Sequence, residues 1–503
     1  MKHFLLTLSA ILAFVCEQSA AQTVSGFVFV DKNQNGVFDA SDRGLSDIPV
    51  SNSKDLVLTN KKGLYVLTAI PGSSVFPILP SDYLFSGSKG TIQNTRFSFQ
   101  QPLDSVPPKR TVDFALTTVP ENTTFRMAAI GDVQVDNEQE INYTDQTLFP
   151  DLMSRKDLAF CLFLGDLVND KPELLPTVKD MLSQLPSPSW TVFGNHDRKT
   201  RSAQPAGQPY NELLGSTSYA FNYGGVHFLI LNNIPDQGKA GYEGAFSDDQ
   251  LTFAANDLAL VPKNSRIVVA MHVPLSYTGN KDRLLSLLKG RHRVLILSAH
   301  LHTVERLFLN GPDGIVPELV AGATCGSWWT GERDASGNPS GLMQCGSPRN
   351  YFVLDFSKDT YRLHFKGIGL DPSTQMDIWV SGQDTLDTHV EAFTGIRPNT
   401  VIATIFAGSD STAVFMQVDG QRPVRMEQAQ IVSPSVSRVS ALSREKVYPT
   451  LYSHRAALRK RPSPHCWKAI LPAGMTPGIH TIKITATDHF GFETSQDRLV
   501  LMK

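Results

Sequence analysis

Five apolar runs in the middle of the chain each end at a residue able to hold a metal ion. "FRMAAI" runs into Gly131-Asp132, "LAFCLFL" into Gly165-Asp166, and "SWTVF" into Gly194-Asn195-His196-Asp197. "RIVVAM" ends at His272, and "RVLILSA" at His300 with His302 two residues on. Gln134 stands two residues after Asp132. A single turn aspartate or core histidine is ordinary, but the whole set at successive run ends is hard to attribute to accident. Carboxylate and amide oxygens suit hard divalent ions, and imidazoles suit zinc, iron or manganese. The ligand types therefore predict two adjacent divalent ions, with one of the aspartates able to bridge them. Such a pair can turn water into a nucleophile and stabilise charge on a phosphoryl group. A glycine before each aspartate lets backbone and ligand approach closely.

The elements that must carry these residues follow from the patterning. From Phe125 to about Asn310, apolar runs alternate with helix-like segments such as "QLTFAANDLALV" (250–261) and "KDRLLSLLKG" (281–290). This alternation predicts an α/β layered domain over 124–310, whose site forms beyond the carboxyl ends of the strands. Residues 24–117 read as a β domain, with "VSGFVFV" and "GLYVLTAI" as strands. Between them, "DKNQNGVFDASD" sets Asp31, Asn33, Asn35, Gly36, Asp39 and Asp42 at the spacing of a twelve-residue calcium loop. An Asn/Asp/Gly-rich hairpin loop without metal is the equal alternative. From 318 to 503 helical patterns are scarce, and a β-rich, sandwich-like domain is expected.

Composition narrows the class. With 503 residues the chain is long enough for about three domains. A net charge of -2 argues against a nucleic-acid-binding surface. The basic run "HRAALRKR" (454–461) reads as a solvated face. At the N-terminus, Lys2, the apolar stretch Phe4–Val15 and small residues Ser19-Ala20-Ala21 predict a signal peptide over 1–21, and hence a periplasmic or secreted protein. Val15 before Cys16 fits a lipid-attachment site poorly, and no later apolar run is long enough to span a membrane. Export permits disulfides, and Cys325 with Cys345 is the expected pair, while Cys161 reads as core.

Taken in order, "GDVQ", "GDLVND", "GNHD", "MHVP" and "SAHLH" resemble the five blocks of the calcineurin-like metallophosphoesterases. The flanks resemble a multidomain subfamily, with "GATCGSWWTGERDASGNPSGLMQCGSPRNY" (322–351) at the start of its C-terminal domain. The first β domain is similar to the prealbumin-like repeats of bacterial surface proteins. The resemblance implies an α/β/β/α layered centre and a dinuclear site hydrolysing phosphomonoesters or phosphodiesters. It implies Asp132, Gln134, Asp166 and His302 around one ion, and Asp166, Asn195, His272 and His300 around the other. It further implies that His196 meets the substrate phosphoryl group.

The sequence departs from the family pattern at three places. Gln134 replaces a histidine, Asn169 replaces an aspartate, and Ser298-Ala299 stands where a glycine usually precedes the next histidine. A carbonyl oxygen at Gln134 favours manganese or iron over zinc. Asn169 takes the place of the group that orients His196, and Asp170 next to it is the substitute. Trp328 and Trp329 are expected at the pocket wall, Asp248 and Asp249 at a helix start, and His465 and Trp467 in packing. A catalytically weakened metal- or phosphate-binding protein and a surface adhesion module are the alternative functions.

Overall fold

A computed structural model of the chain describes residues 22–502 apart from 88–90, 102–108, 200–204, 237–240, 358–359, 385–395 and 446–457. The expected signal peptide lies outside the described residues. No helix among the described residues is long and apolar enough to cross a membrane.

Two sheets stack at the centre. The first runs in the order Ser189–Thr191, Leu158–Phe163, Phe125–Ile130, Asn350–Ser357, Thr360–Gly367. The second runs Tyr219–Tyr223, Val226–Ile230, Arg266–Ala270, Val294–Ser298, Gly314–Ala321, Val304–Gly311. The metal-residue strands pair in parallel within each sheet, so their carboxyl ends share one edge. These strands are buried on both faces, which is why they read as continuous apolar runs rather than alternating ones. In Phe125–Ile130, Met127 and Ala129 join the core between the sheets, which also holds Phe228, Ile230 and Val268. Ala128 and Ile130 face the other way, into a core with Leu148, Leu152, Val178 and Leu182 from the helices Glu138–Ser154 and Leu175–Leu182. Helices Asp248–Leu260 and Lys281–Leu287 cover the second sheet through Leu251, Phe253, Leu258, Leu284 and Leu285. The layering is the expected α/β/β/α.

Asp248 and Asp249 open their helix, whose Ser247 cap and Gln250 form a reciprocal capping box. The placement of the later strands differs from expectation. Asn350–Ser357 and Thr360–Gly367, expected in the C-terminal β region that starts at 318, extend the first central sheet, with Ala129 opposite Phe352. Gly314–Ala321 is an inner strand of the second sheet. Without Asn350–Ser357 the catalytic-side strand Phe125–Ile130 would be an open edge. A strand pattern carries no label for its partner, so sequence alone left these strands with the domain that follows them.

Both ends of the chain are β-rich. Beyond 376, two four-stranded sheets carry the strands Met376–Val380, Thr400–Ile405 and Cys466–Ile470, and Ala413–Val418, Gly478–Thr487 and Glu493–Met502. They are tied to the centre by the buried pair Arg306–Asp488, with Arg306 Nη2 3.0 Å from Asp488 Oδ1. His465 and Trp467 are buried there, as expected of packing residues. At the other end, Thr23–Val30 pairs with Leu64–Thr68 and Phe114–Thr118. In the 31–42 loop, Asp31 accepts from the amides of Asn35 (3.2 Å) and Gly36 (2.9 Å). Asp39 accepts from Asn33 and Asn35 side-chain nitrogens at 2.9 and 3.0 Å, and Asp42 from the Lys32 amide at 3.1 Å. Hydrogen bonds among the loop's own residues thus account for its shape.

Candidate metal centre

The five predicted segments meet at one edge of the stacked sheets, stitched by backbone hydrogen bonds. The Gln134 amide donates to Asp166 O (2.8 Å), the Asp170 amide to His196 O (3.0 Å), and the Ala299 amide to His272 O (3.0 Å). Directly after the first segment, Asn137 caps the helix Glu138–Ser154 while Glu140 accepts from the Asp136 amide at 2.8 Å. That cap fixes where the 131–136 turn ends.

Asp132 and Asp166 are fully buried. Asp132 Oδ2 accepts from the His300 amide (3.0 Å), whereas its Oδ1 has no hydrogen-bond partner and lies 3.6 Å from His302 Nε2. Asp166 Oδ1 accepts from the His196 amide (2.8 Å), and its Oδ2 is 3.1 Å from His272 Nε2. The same nitrogen is 3.1 Å from Asn195 Oδ1. His272 Nδ1 lies 2.8 Å from Leu164 O and His302 Nδ1 2.6 Å from Gly326 O, so in both rings Nε2 is the atom turned toward the carboxylates. Asp166, His272 and His300 offer ligand atoms within 4.8 Å of one another, a possible metal site.

The backbone around these groups is held in a costly conformation. Asp132, Gln134, Asp166, His300 and His302 all have positive φ, as do Asp170, Trp328 and Trp329. Such left-handed non-glycine residues persist only when their surroundings over-determine them. Gly194 shows why the neighbouring position must be glycine: a Cβ there would sit 2.2 Å from Asp166 Oδ1. At Gly165, φ is +94° and a Cβ would lie 2.6 Å from His272 Nδ1.

The electrostatics of the residues ask for a cation. Burial, reinforced by the charge of Asp166, pushes the Asp132 carboxyl well above the usual range. Burial would raise Asp166 too, but the charge and hydrogen bond of His272 outweigh it and hold Asp166 low. For His272, burial opposes the proton, yet Asp166 raises the group to about 9. Burial drives His300 down to about 3 and His302 to about 4, leaving both imidazoles neutral at pH 7. Two buried acidic groups thus share a site in which, of His272, His300 and His302, only His272 favours its charged form. An Asp132 oxygen without a hydrogen-bond partner faces a neutral imidazole, so a divalent ion would supply the missing positive charge. The residues fit the metal they were expected to hold.

His196 is partly exposed, with Nδ1 3.0 Å from Asp170 Oδ1 in a contact short of an aligned hydrogen bond. Asn169 points elsewhere and accepts from Gln134 Nε2 at 3.2 Å. Asp170 is thus the carboxylate that lies beside His196, while Asn169 lies against Gln134. Gln134 is buried beside Cys325, whose Sγ lies 3.8 Å from its Oε1 and 3.6 Å from His302 Nδ1. The expected Cys325–Cys345 disulfide is not formed: Cys161, Cys325, Cys345 and Cys466 are all buried, and none is in a disulfide among the described residues. The Cys325 backbone is committed to the site, its amide donating to Asp132 O at 3.1 Å. That contact turns the thiol toward His302 and Gln134.

The two tryptophans separate. Trp328 is partly exposed and stacks on His302 at 4.3 Å between centroids. Trp329 is buried under Arg349, whose guanidinium lies 4.9 Å from its ring, and belongs to the core. Two site residues escaped the sequence reading. Asp197 spans loops, accepting from the amides of Leu167 (2.8 Å) and Gly194 (2.9 Å). Tyr242 stands on the second sheet's side with its hydroxyl 3.4 Å from His300 Nε2. The "D" of "GNHD" was a signal for the first, and only the fold could deliver the second. A cavity of about 580 Å3 lies elsewhere. Its lining includes Arg266 and Val294, which begin the strands that His272 and His300 follow.

Residues 125–304 match the family described as Calcineurin-like phosphoesterase, and residues 318–493 match its companion, C terminal of Calcineurin-like phosphoesterase. The chain belongs to the calcineurin-like phosphoesterase family. Among solved structures, it is similar to a dimetal phosphatase from Danio rerio at 15% identity and TM-score 0.35, covering 48% of this chain and 96% of that one. It is also similar to purple acid phosphatase PPD1 from yellow lupin (Lupinus luteus) seeds, at 13% identity and TM-score 0.35, covering 64% and 67%. Vps29 of Chaetomium thermophilum aligns at 15% identity and TM-score 0.23, over 48% and 88%. No curated protein matches the chain.

The altered second block of this phosphoesterase makes a prediction. Asp170→Ala is expected to lower kcat roughly 10–100-fold, the cost of losing an orienting partner, with metal content unchanged. Asn169→Ala is expected instead to weaken metal retention through Gln134. Paired steady-state kinetics and metal analysis check the split. Equal effects of the two on kcat would return the orienting role to Asn169.

Proposed function

We propose that this protein is an exported metal-dependent hydrolase of phosphate monoesters or diesters, working with two divalent ions. The observation that carries the reading is the cluster of buried Asp132, Asp166, His272 and His302 with half-buried His300, whose unpaired Asp132 oxygen and the neutral imidazoles of His300 and His302 lack only a cation. Asp132, Gln134, Asp166 and His302 would hold one ion, and Asp166, Asn195, His272 and His300 the other. Two such ions supply Lewis acidity toward the phosphoryl oxygens and acidify the attacking water. Among the chain's own groups, His196 holds a proton that it passes to the leaving ester oxygen. Asp170 orients the His196 ring through Nδ1 and favours the protonated form. Asp197 keeps the Asp166 and Asn195 loops in register by binding an amide from each. Tyr242 and Trp328 wall the opening on its two sides. Gln134, a neutral oxygen donor, favours manganese or iron in the first position. The same reading takes residues 1–21 as the export signal and the 31–42 loop as a calcium site of a prealbumin-like domain.

Stripping the protein with a chelator and re-supplying manganese, iron or zinc separately tests it on one chromogenic monoester and one diester. Turnover should vanish on stripping and return best with manganese or iron. The melting temperature should fall with the metal and recover with it, since a ligand at about 1,000 times its Kd stabilises by about 4 kcal/mol. Uptake of two ions per chain with no turnover on either ester would favour the metal-binding protein without efficient catalysis.

A further inference from the structure

The basic run 454–461 was expected to be a solvated face, and its described end, 458–461, reaches a cavity that His302 also lines. Arg459 and Arg461 line a cavity of about 160 Å3 together with His302, Trp328 and Gln344. Both arginines are exposed, and neither has a hydrogen bond or ion pair among the described residues. The cavity joins the two guanidinium groups to the side of the site held by His302, over which Trp328 is stacked.

A guanidinium presents a planar fork that takes two oxygens of a phosphate at once, and it stays charged at any physiological pH. Two of them on one wall match the charge of a phosphate dianion, whereas one suffices for a carboxylate. The indole beside them offers an apolar face and no charge. Along this wall, then, an apolar stretch leads from the metal residues to an anion receptor.

We propose that the preferred substrates are phosphate esters bearing a second phosphate a few bonds from the scissile one. Arg459 and Arg461 hold the second phosphate, and the linking segment crosses Trp328. The proposal rests on the phosphoesterase reading for the identity of the first group.

The test compares propyl phosphate with propane-1,3-diyl bisphosphate on the full, metal-loaded chain, in the native protein and in R459A/R461A. The native ratio of kcat/KM, bisphosphate over monophosphate, should exceed about tenfold, the value of one good charge-assisted contact. It should fall to within about twofold of unity in R459A/R461A and recover only partly in R459K/R461K, which keeps the charge and loses the fork. A native ratio near unity, or one that survives R459A/R461A, overturns the proposal. If neither ester is hydrolysed, the phosphoesterase reading fails by itself, and calorimetric binding of the same two compounds decides this one. Tighter binding of the bisphosphate that R459A/R461A abolishes supports the receptor, and equal affinities overturn it.

Discussion

Asp166→Asn should cost the enzyme more than any other single exchange. The expected loss in kcat/KM is well beyond the roughly 10–100-fold that follows removal of an outer-shell partner, together with loss of bound metal after dialysis. The reason is that Asp166 serves two neighbours and a possible metal site at once. Its Oδ2 meets His272, its Oδ1 receives the His196 amide, and it belongs to the one cluster of metal-competent atoms found among the described residues. An asparagine keeps the shape but removes the anion and turns an N–H donor toward the metal side. Kinetics and metal analysis on the same preparation check this. A variant that retained two ions and half of the native activity would sink the bridging role.

His196→Ala is expected to act differently. Metal content should stay at the native level while kcat falls about 10²–10⁴-fold, the usual contribution of a general acid. The loss should be larger for an alkyl ester than for 4-nitrophenyl phosphate, whose leaving group needs no proton. His196 suits that role because it is partly exposed beside the buried cluster and Asp170 lies against Nδ1. Burial works against a proton on the ring, but Asp170 and Asp166 together raise its affinity above that of an ordinary histidine. Equal losses on both esters would argue that His196 stabilises the phosphoryl oxygens rather than protonating the leaving group. No loss on either would remove it from the chemistry.

Much of the site was legible before folding because its signals are local. Each ligand stands at the end of its own apolar run, and a parallel sheet with both faces covered makes such runs continuous. Parallel pairing then brings their carboxyl ends to one edge, whatever the length of chain between them. The helix start at Asp248 and Asp249 and the packing of Trp467 were readable for the same reason, since helix starts and burial depend on neighbouring residue types.

What the sequence could not decide were choices between adjacent or distant partners. Asn169 and Asp170 differ by one position, and only the left-handed backbone at Asp170 turns that carboxylate toward His196 while Asn169 faces Gln134. Cys325 and Cys345 bracket one loop, yet the loop's hydrogen bond to Asp132 turns the Cys325 thiol toward His302. Trp328 and Trp329 are identical in composition and neighbours in sequence, but one stacks on a metal residue and the other fills the core. Strands 350–367 were visible as strands, though not as members of the central sheet. Arg459 and Arg461 read as surface charge until the fold set them beside His302. The sequence by itself determined the candidate metal-holding residues and the layered α/β frame, because residue type and hydrophobic period are properties of short segments. The tertiary structure decided which of two neighbours serves each role and what walls the pocket, because those depend on backbone direction and on contacts more than a hundred residues apart.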